Sequence, residues 1–382
     1  MIFFRPGSQV HRLTAVLAIA GEIPVSDLFW FGSQRTVRAL VAQLVETQTL
    51  RNTLTGEELT CRLLKLHGKG SGKTIRFYKA GLPVLDWLGV KKYYLASFWN
   101  HNFPSDPAHR SRMNRVAETL LILPHANVEF RAWRLPELSL DQFQNLAFSK
   151  PGYYLARDLK KVATDDESKI SFSRITGAIL TADSLLPVFN TQDAVMKWNG
   201  EGEQKTQLSL LNLAQKNIRV KQVDAAILLG KSDDTAIRTM AEMKATRRLS
   251  LRFDIVYRFI YYVPLRKEGV DQLRLLLTPD WNERLLSAMF TPAQRSYNRG
   301  SFEYDAIVDG TYIFCFFDGD IARLNRLREA LETDNIFCQL LCFPFQVSLV
   351  RQALGDLVDI RIYAPGDVLN ALGIERRTIF ES

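Results

Sequence analysis

At 382 residues, 47% hydrophobic and 24% charged, the chain is long enough for two or three domains and has an ordinary globular composition. Its formal net charge is +8, unevenly spread: residues 1–115 hold 16 Lys and Arg against 7 Asp and Glu, and the rest hold 33 against 34. A basic first third on a neutral body is the electrostatic footprint of a polyanion partner. There is no run of about 18 apolar residues, so neither a membrane span nor a membrane partner is expected. Cys61, Cys315, Cys338 and Cys342 are too few and too clustered for a secreted disulfide framework. The opening Met1-Ile-Phe-Phe-Arg-Pro6 has no basic or apolar leader region. A reducing cytoplasm is the expected compartment.

In chain order, Val10, Leu13, Val16, Leu17 and Ala20 recur at helical spacing, and Gly21 ends that helix. Ser26–Phe31 reads as a short second helix with Ser26 as its cap. Ser33 reads as the cap of a third helix running to about Thr47. Val37, Leu40, Val41 and Leu44 form its core stripe, and Gln34, Arg35, Arg38, Ala42 and Gln43 its polar face. A recognition helix enters the major groove by its N-terminal half, where Arg and Gln reach base edges. The plain alternative is an amphipathic helix with a solvated face.

Cys61–His67 and Lys73–Lys79 read as strands joined by Gly68-Lys-Gly-Ser-Gly72, with Lys65, Lys69, Lys73, Arg76 and Lys79 along the hairpin. Three helices followed by a basic hairpin is the winged-helix order, the wing lying along phosphates. Ala80–Leu88 reads as a closing helix. His67-Gly-Lys-Gly-Ser-Gly-Lys-Thr74 imitates a phosphate-binding loop, but His67 stands where the motif needs glycine and a strand follows instead of a helix.

Residues 91–106 read as a linker or domain edge. Pro107–Leu123 is a helix with Arg110, Arg112 and Arg115 outside, candidates to extend a DNA surface. Strands are expected at Asn127–Trp133, Arg174–Thr181, Leu186–Asn190 and Val223–Leu229, and helices at Glu201–Lys216 and Asp233–Lys244. This order is similar to the PD-(D/E)XK nuclease scaffold, whose chemistry gathers a divalent metal on an Asp and a Glu-x-Lys. Asp183 and Glu203-Gln-Lys205 supply those letters, although Glu203 opens a helix and reads more simply as a first-turn carboxylate.

Beyond Arg248 a second α/β unit is expected. It comprises an aromatic strand at Phe253–Val263, a hairpin around Asp309-Gly310, helices at Ile321–Glu332 and Val347–Leu354, and strands at Asn335–Phe343 and Val358–Tyr363. Phe316-Phe-Asp-Gly-Asp320 sets two carboxylates at a strand end, where Asp318 and Asp320 suit Mg²⁺ with Glu303 or Asp305 as a third acid. The simpler reading makes Asp318 a turn residue and Asp320 a helix cap. The cysteines read as buried small hydrophobes.

Three segments carry a resemblance: the hairpin exit Thr74-Ile-Arg-Phe-Tyr-Lys-Ala-Gly81, the helix His109-Arg-x-x-Met-Asn-Arg115, and Ser173-Arg-Ile-Thr-Gly-Ala-Ile-Leu180. Over roughly the first 230 residues the layout resembles the replication-relaxation family of Gram-positive plasmids and integrative elements. That resemblance implies a winged helix followed by a restriction-endonuclease-like α/β domain, degenerate here because the acidic positions do not line up on strands.

The expected fold is therefore α/β (α+β), with a winged helix-turn-helix at 1–92, an α/β domain at 93–247 and a C-terminal α/β domain at 248–382. The expected function is double-stranded DNA binding in replication, transfer or their control, without a cofactor. Gln34, Arg35 and Arg38 would meet the groove, and Lys65, Lys69, Lys73, Arg76, Arg110 and Arg112 the backbone. Two alternatives stand beside it. One is a Mg²⁺-dependent nuclease using Asp183, Glu203 and Lys205 or the Asp318/Asp320 pair. The other is a homodimeric scaffold that docks replication or transfer proteins.

Overall fold

The structure is a computed structural model that describes all residues except 104–105, 134–149, 161–173, 182–183, 196–200, 216–222, 246–252, 297–302, 335 and 377–382. The chain is mixed α/β and divides into two units, residues 1–125 and 126–376. Among the described residues, no helix is long and apolar enough to cross a membrane.

The first unit begins with β1 (Ile2–Phe4) and α1 (Gln9–Ala20). Ser8 caps α1 by accepting from the His11 amide at 3.3 Å. Gly21 closes it at φ 81°, where an added Cβ would sit 2.6 Å from the Phe98 ring. Next come β2 (Ile23–Pro24) and a 3-10 turn at Val25–Phe31. Pro24 precedes that turn, so the expected Ser26 cap is not formed, and the Ser26 hydroxyl donates to Asp27 instead.

α2 (Gln34–Val45) follows. The sequence pattern did not announce the next hairpin, β3 (Gln48–Asn52) with β4 (Glu58–Cys61). β1 lies parallel to β3, and β4 antiparallel to it. The expected strand Cys61–His67 is therefore two strands broken at Arg62–Leu63. Its second part, β5 (Leu64–His67), pairs antiparallel with β6 (Thr74–Phe77), and β6 pairs with β2.

α3 (Val84–Trp87), α4 (Lys91–Ser97) and α5 (Pro107–Ile122) complete the unit. α5 starts on Asp106, whose carboxylate accepts from the Ala108 and His109 amides, with Pro107 at its first position. The boundary expected at residue 92 falls inside this unit: Tyr94 of α4 is fully buried, and α5 packs on α1. Burying side chains such as Leu17, Phe77 and Leu120 contributes about 1.5–3 kcal/mol each.

The second unit holds a six-stranded sheet in the order β12-β11-β10-β9-β8-β7. Its strands are β7 (Glu129–Phe130), β8 (Gly152–Leu155), β9 (Ile175–Leu180), β10 (Leu185–Gln192), β11 (Ala225–Gly230) and β12 (Phe259–Pro264). β10, β11 and β12 run parallel, and β9 is antiparallel to β8 and β10. β9 and β11 are buried along their whole length, as continuous apolar strands covered on both faces must be. The chain around them forms α6 (Ala156–Leu159), α7 (Glu201–Gln215), α8 (Asp233–Ala245), α9 (Phe253–Val256), α10 (Lys267–Leu276) and α11 (Trp281–Met289).

A four-stranded sheet follows in the order β13 (Ala306–Val308), β14 (Thr311–Cys315), β15 (Cys338–Cys342), β16 (Val358–Ile362). α12 (Ile321–Asp334), α13 (Val347–Leu354) and α14 (Pro365–Ala371) interleave with it. Asp309 and Gly310 turn β13 into β14 with φ 49° and 78°, the positive pair that a two-residue hairpin turn requires.

One apolar cluster runs from Tyr154 and Phe189 of the first sheet to Phe314, Leu340 and Val358 of the second. A boundary at residue 247 would cut this shared core and part β12 from β11, so residues 126–376 are one body. The expected strand Phe253–Val263 is likewise a short helix and then β12.

Candidate nucleic-acid interface

α2 forms because Val37, Val41 and Leu44 fall at i, i+4 and i+7 and are buried, while Leu40 lies at the margin. The other face is open: Gln34, Arg35, Arg38, Ala42 and Gln43 are all exposed. Ser33 occupies the N-cap position without a side-chain cap bond, so the first-turn amides and their positive dipole end stay available. Among the described residues, Arg35 and Arg38 make no hydrogen bond or ion pair. Two unopposed guanidiniums three residues apart at a helix start form a mount for phosphates or base edges.

The turn between β5 and β6 carries Lys69 and Lys73, both exposed. Gly68 (φ 85°) is required there, because a Cβ would meet the Gly72 carbonyl oxygen at 2.7 Å. Thr74 begins a strand, so the glycine-rich stretch leads into no helix and cradles no phosphate as a nucleotide loop would. Lys65 is half-buried and stands opposite Arg76 in the register.

Arg76 needs a correction. Its side chain is only 6% exposed; Nε and Nη2 both meet Glu22 Oε2 at 2.5 Å, and its guanidinium stacks 4.7 Å over Phe103. Glu22 is wholly buried, and its Oε1 takes Arg110 Nε at 3.5 Å. Arg76 is therefore an internal charge that neutralises Glu22, because a buried carboxylate must be paired. Arg110 is partly tethered by the same acid, and Arg112 is exposed without a partner among the described residues. Sequence reasoning missed Glu22; the signal was an isolated acid in the apolar run Ala20-Gly-Glu-Ile-Pro24. The His67 imidazole is held below its usual range by burial first and by the Arg76 and Arg110 charges next.

Among the described residues, Glu203 and Lys205 do not face one another. Asp183 lies outside the described residues. Glu203 is buried on α7, and burial pushes its carboxyl up, whereas Lys205 is exposed on the same helix. Two residues apart on a helix face different ways, so the Glu-x-Lys letters cannot converge on one metal-bound water.

Asp318 and Asp320 are both buried, and one oxygen of each already accepts hydrogen bonds. Asp320 Oδ1 accepts from the Ile260, Ala322 and Arg323 amides, capping α12, and Asp318 Oδ1 accepts from the Asp320 amide. Arg323 gathers Asp305 at 3.0 Å, Glu303 at 3.4 Å and Asp318 at 3.8 Å, so this cluster is an internal ion network instead of a Mg²⁺ pair. Burial pushes Asp318 up to about 7, against the pull of Arg323. Among the described residues, no group of three His, Cys, Asp or Glu is arranged to hold a metal. All four cysteines are buried, and burial pushes Cys338 and Cys342 up to about 12.

A scan against protein-family models, a search of curated proteins and a search of solved structures each returned no match to this chain.

Proposed function

We propose that residues 1–125 form a winged helix-turn-helix that binds double-stranded DNA, within a mobile-element protein acting in replication, transfer or their control. The observation that carries the reading is the open face of α2, where Arg35 and Arg38 stand exposed with no acidic partner among the described residues. The sheet β2-β6-β5 supports it, because its exposed turn offers Lys69 and Lys73 as the tip of a wing. The extra hairpin β3–β4 is inserted between α2 and that wing. The mobile-element setting rests on the resemblance of the three segments named above. Gln34, Arg35 and Arg38 contact the major groove, and Lys65, Lys69, Lys73, Arg110 and Arg112 contact phosphates, with Arg76 as internal support.

The test is anisotropy of a labelled duplex at moderate salt. Replacing both Arg35 and Arg38 by Ala lowers affinity about 10- to 100-fold. An unchanged affinity removes α2 from the interface.

A further inference from the structure

Trp99 is the open indole of the first unit, 52% exposed, and its backbone is unusual. Trp99, Asn100 and His101 follow one another at φ 47°, 53° and 71°, the left-handed region that L side chains rarely adopt and that a single Asn tolerates best. The kink is anchored from below. His101 Nδ1 lies 2.7 Å from the hydroxyl of the fully buried Tyr94, and the His101 ring stands edge-on to Phe103. The surrounding fold thus enforces a strained conformation whose outcome is an indole in solvent. Strain maintained by its surroundings clusters at functional sites.

The neighbourhood indicates what the indole meets. Its ring packs edge-on against His109 in the first turn of α5, at 5.8 Å. Arg110 follows on that helix, its Nη2 only 3.5 Å from where a Cβ on Gly68 of the β5–β6 turn would stand, and exposed Arg112 comes two residues later. His101 is held below its usual range by burial, then by the charges of Lys65, Arg76 and Lys79. An exposed indole packed on His109 of the helix that also carries Arg112 suits a stacked base beside its phosphates. A paired base inside a duplex presents no free face to stack on.

We propose that Trp99 is a stacking platform for an unpaired base, so that the first unit favours a duplex carrying a single-stranded extension over a fully paired one. This rests on the DNA-binding reading above and adds the form of DNA bound. Arg112, three residues along α5 from His109 and so on the same face, holds the phosphate next to the splayed nucleotide.

The experiment uses the full chain and two labelled DNAs, a blunt duplex and the same duplex with a short single-stranded tail. Wild type binds the tailed DNA roughly tenfold tighter, and Trp99→Ala brings it down to the blunt level while leaving the blunt affinity unchanged. Trp99→Phe keeps most of the preference. With 2-aminopurine as the first unpaired base, its emission falls when wild type binds, a readout that does not depend on any variant folding. Equal affinity for both DNAs, equal losses on both with Trp99→Ala, or an unquenched 2-aminopurine overturns the proposal and leaves duplex binding standing. Binding to neither DNA removes the interface reading and this one with it.

Discussion

Two groups of arginines, one in each unit, are built in opposite ways. Arg35 and Arg38 stand in solvent on α2 with no acid opposite them among the described residues. Arg323 is 5% exposed and surrounded by Asp305, Glu303 and Asp318, with Asp320 capping the helix it sits on. An exposed, unopposed cation contributes little to the fold and is free to meet an outside anion. A buried, saturated one stabilises its own unit and has nothing left to offer. Arg76 has the inward kind of environment inside the basic unit, so local charge density alone does not identify a binding residue.

The contrast can be broken most forcefully at Arg323. Arg323→Met leaves the buried Asp305 carboxylate without its cation and costs about 3–5 kcal/mol, read as a large drop in the urea midpoint of the second unit's transition. Duplex affinity measured well below that midpoint stays the same. The α2 double substitution is the mirror image: affinity falls by one to two orders of magnitude while the thermal midpoint holds. If that pair of changes also melted the protein, the two groups would not differ in kind.

Asp318 sharpens the comparison through pH. Its folded carboxyl titrates near 7 and its unfolded one near 3.9, so between those values the folded state holds the extra proton. Stability therefore falls as pH rises from about 4 to about 7, by at most roughly 1.4 kcal/mol per pH unit. Asp318→Asn keeps the oxygen that accepts from the Asp320 amide and flattens that slope in pH-resolved melts. A slope that survives the substitution assigns the titration elsewhere. The smallest effect belongs to the wing. Replacing Lys69 and Lys73 by Ala weakens duplex binding only a few-fold, but reduces the steepness of its salt dependence by about 2.

Much of the architecture was legible because its signals are local. α13 runs over Val347–Leu354 as expected, Asp309-Gly310 turns its hairpin, and Val37, Val41 and Leu44 are buried while Arg35 and Arg38 are not. What escaped needed long-range information. The hairpin β3–β4 is polar and short, and β1 joins it only through pairing across some fifty residues. The continuity of β12 with β11 depends on a shared sheet, which no sequence spacing encodes. At the candidate site, the pattern showed which arginines share a helix face. It could not show that Glu22 lies beneath Arg76, because that partner is 54 residues away and reaches it only after the chain has folded.

The Glu22 pairing also bears on how quickly and how tightly the surface engages a ligand. One carboxylate pairs with both the strand bearing Arg76 and the helix bearing Arg110, which ties the β-ribbon to α5. On the DNA-binding proposal, an incoming polyanion meets a ribbon already tied to its neighbouring helix. The ordering entropy of association then falls on a few lysine side chains at the tip, not on strand backbone, which favours fast capture without a slow rearrangement.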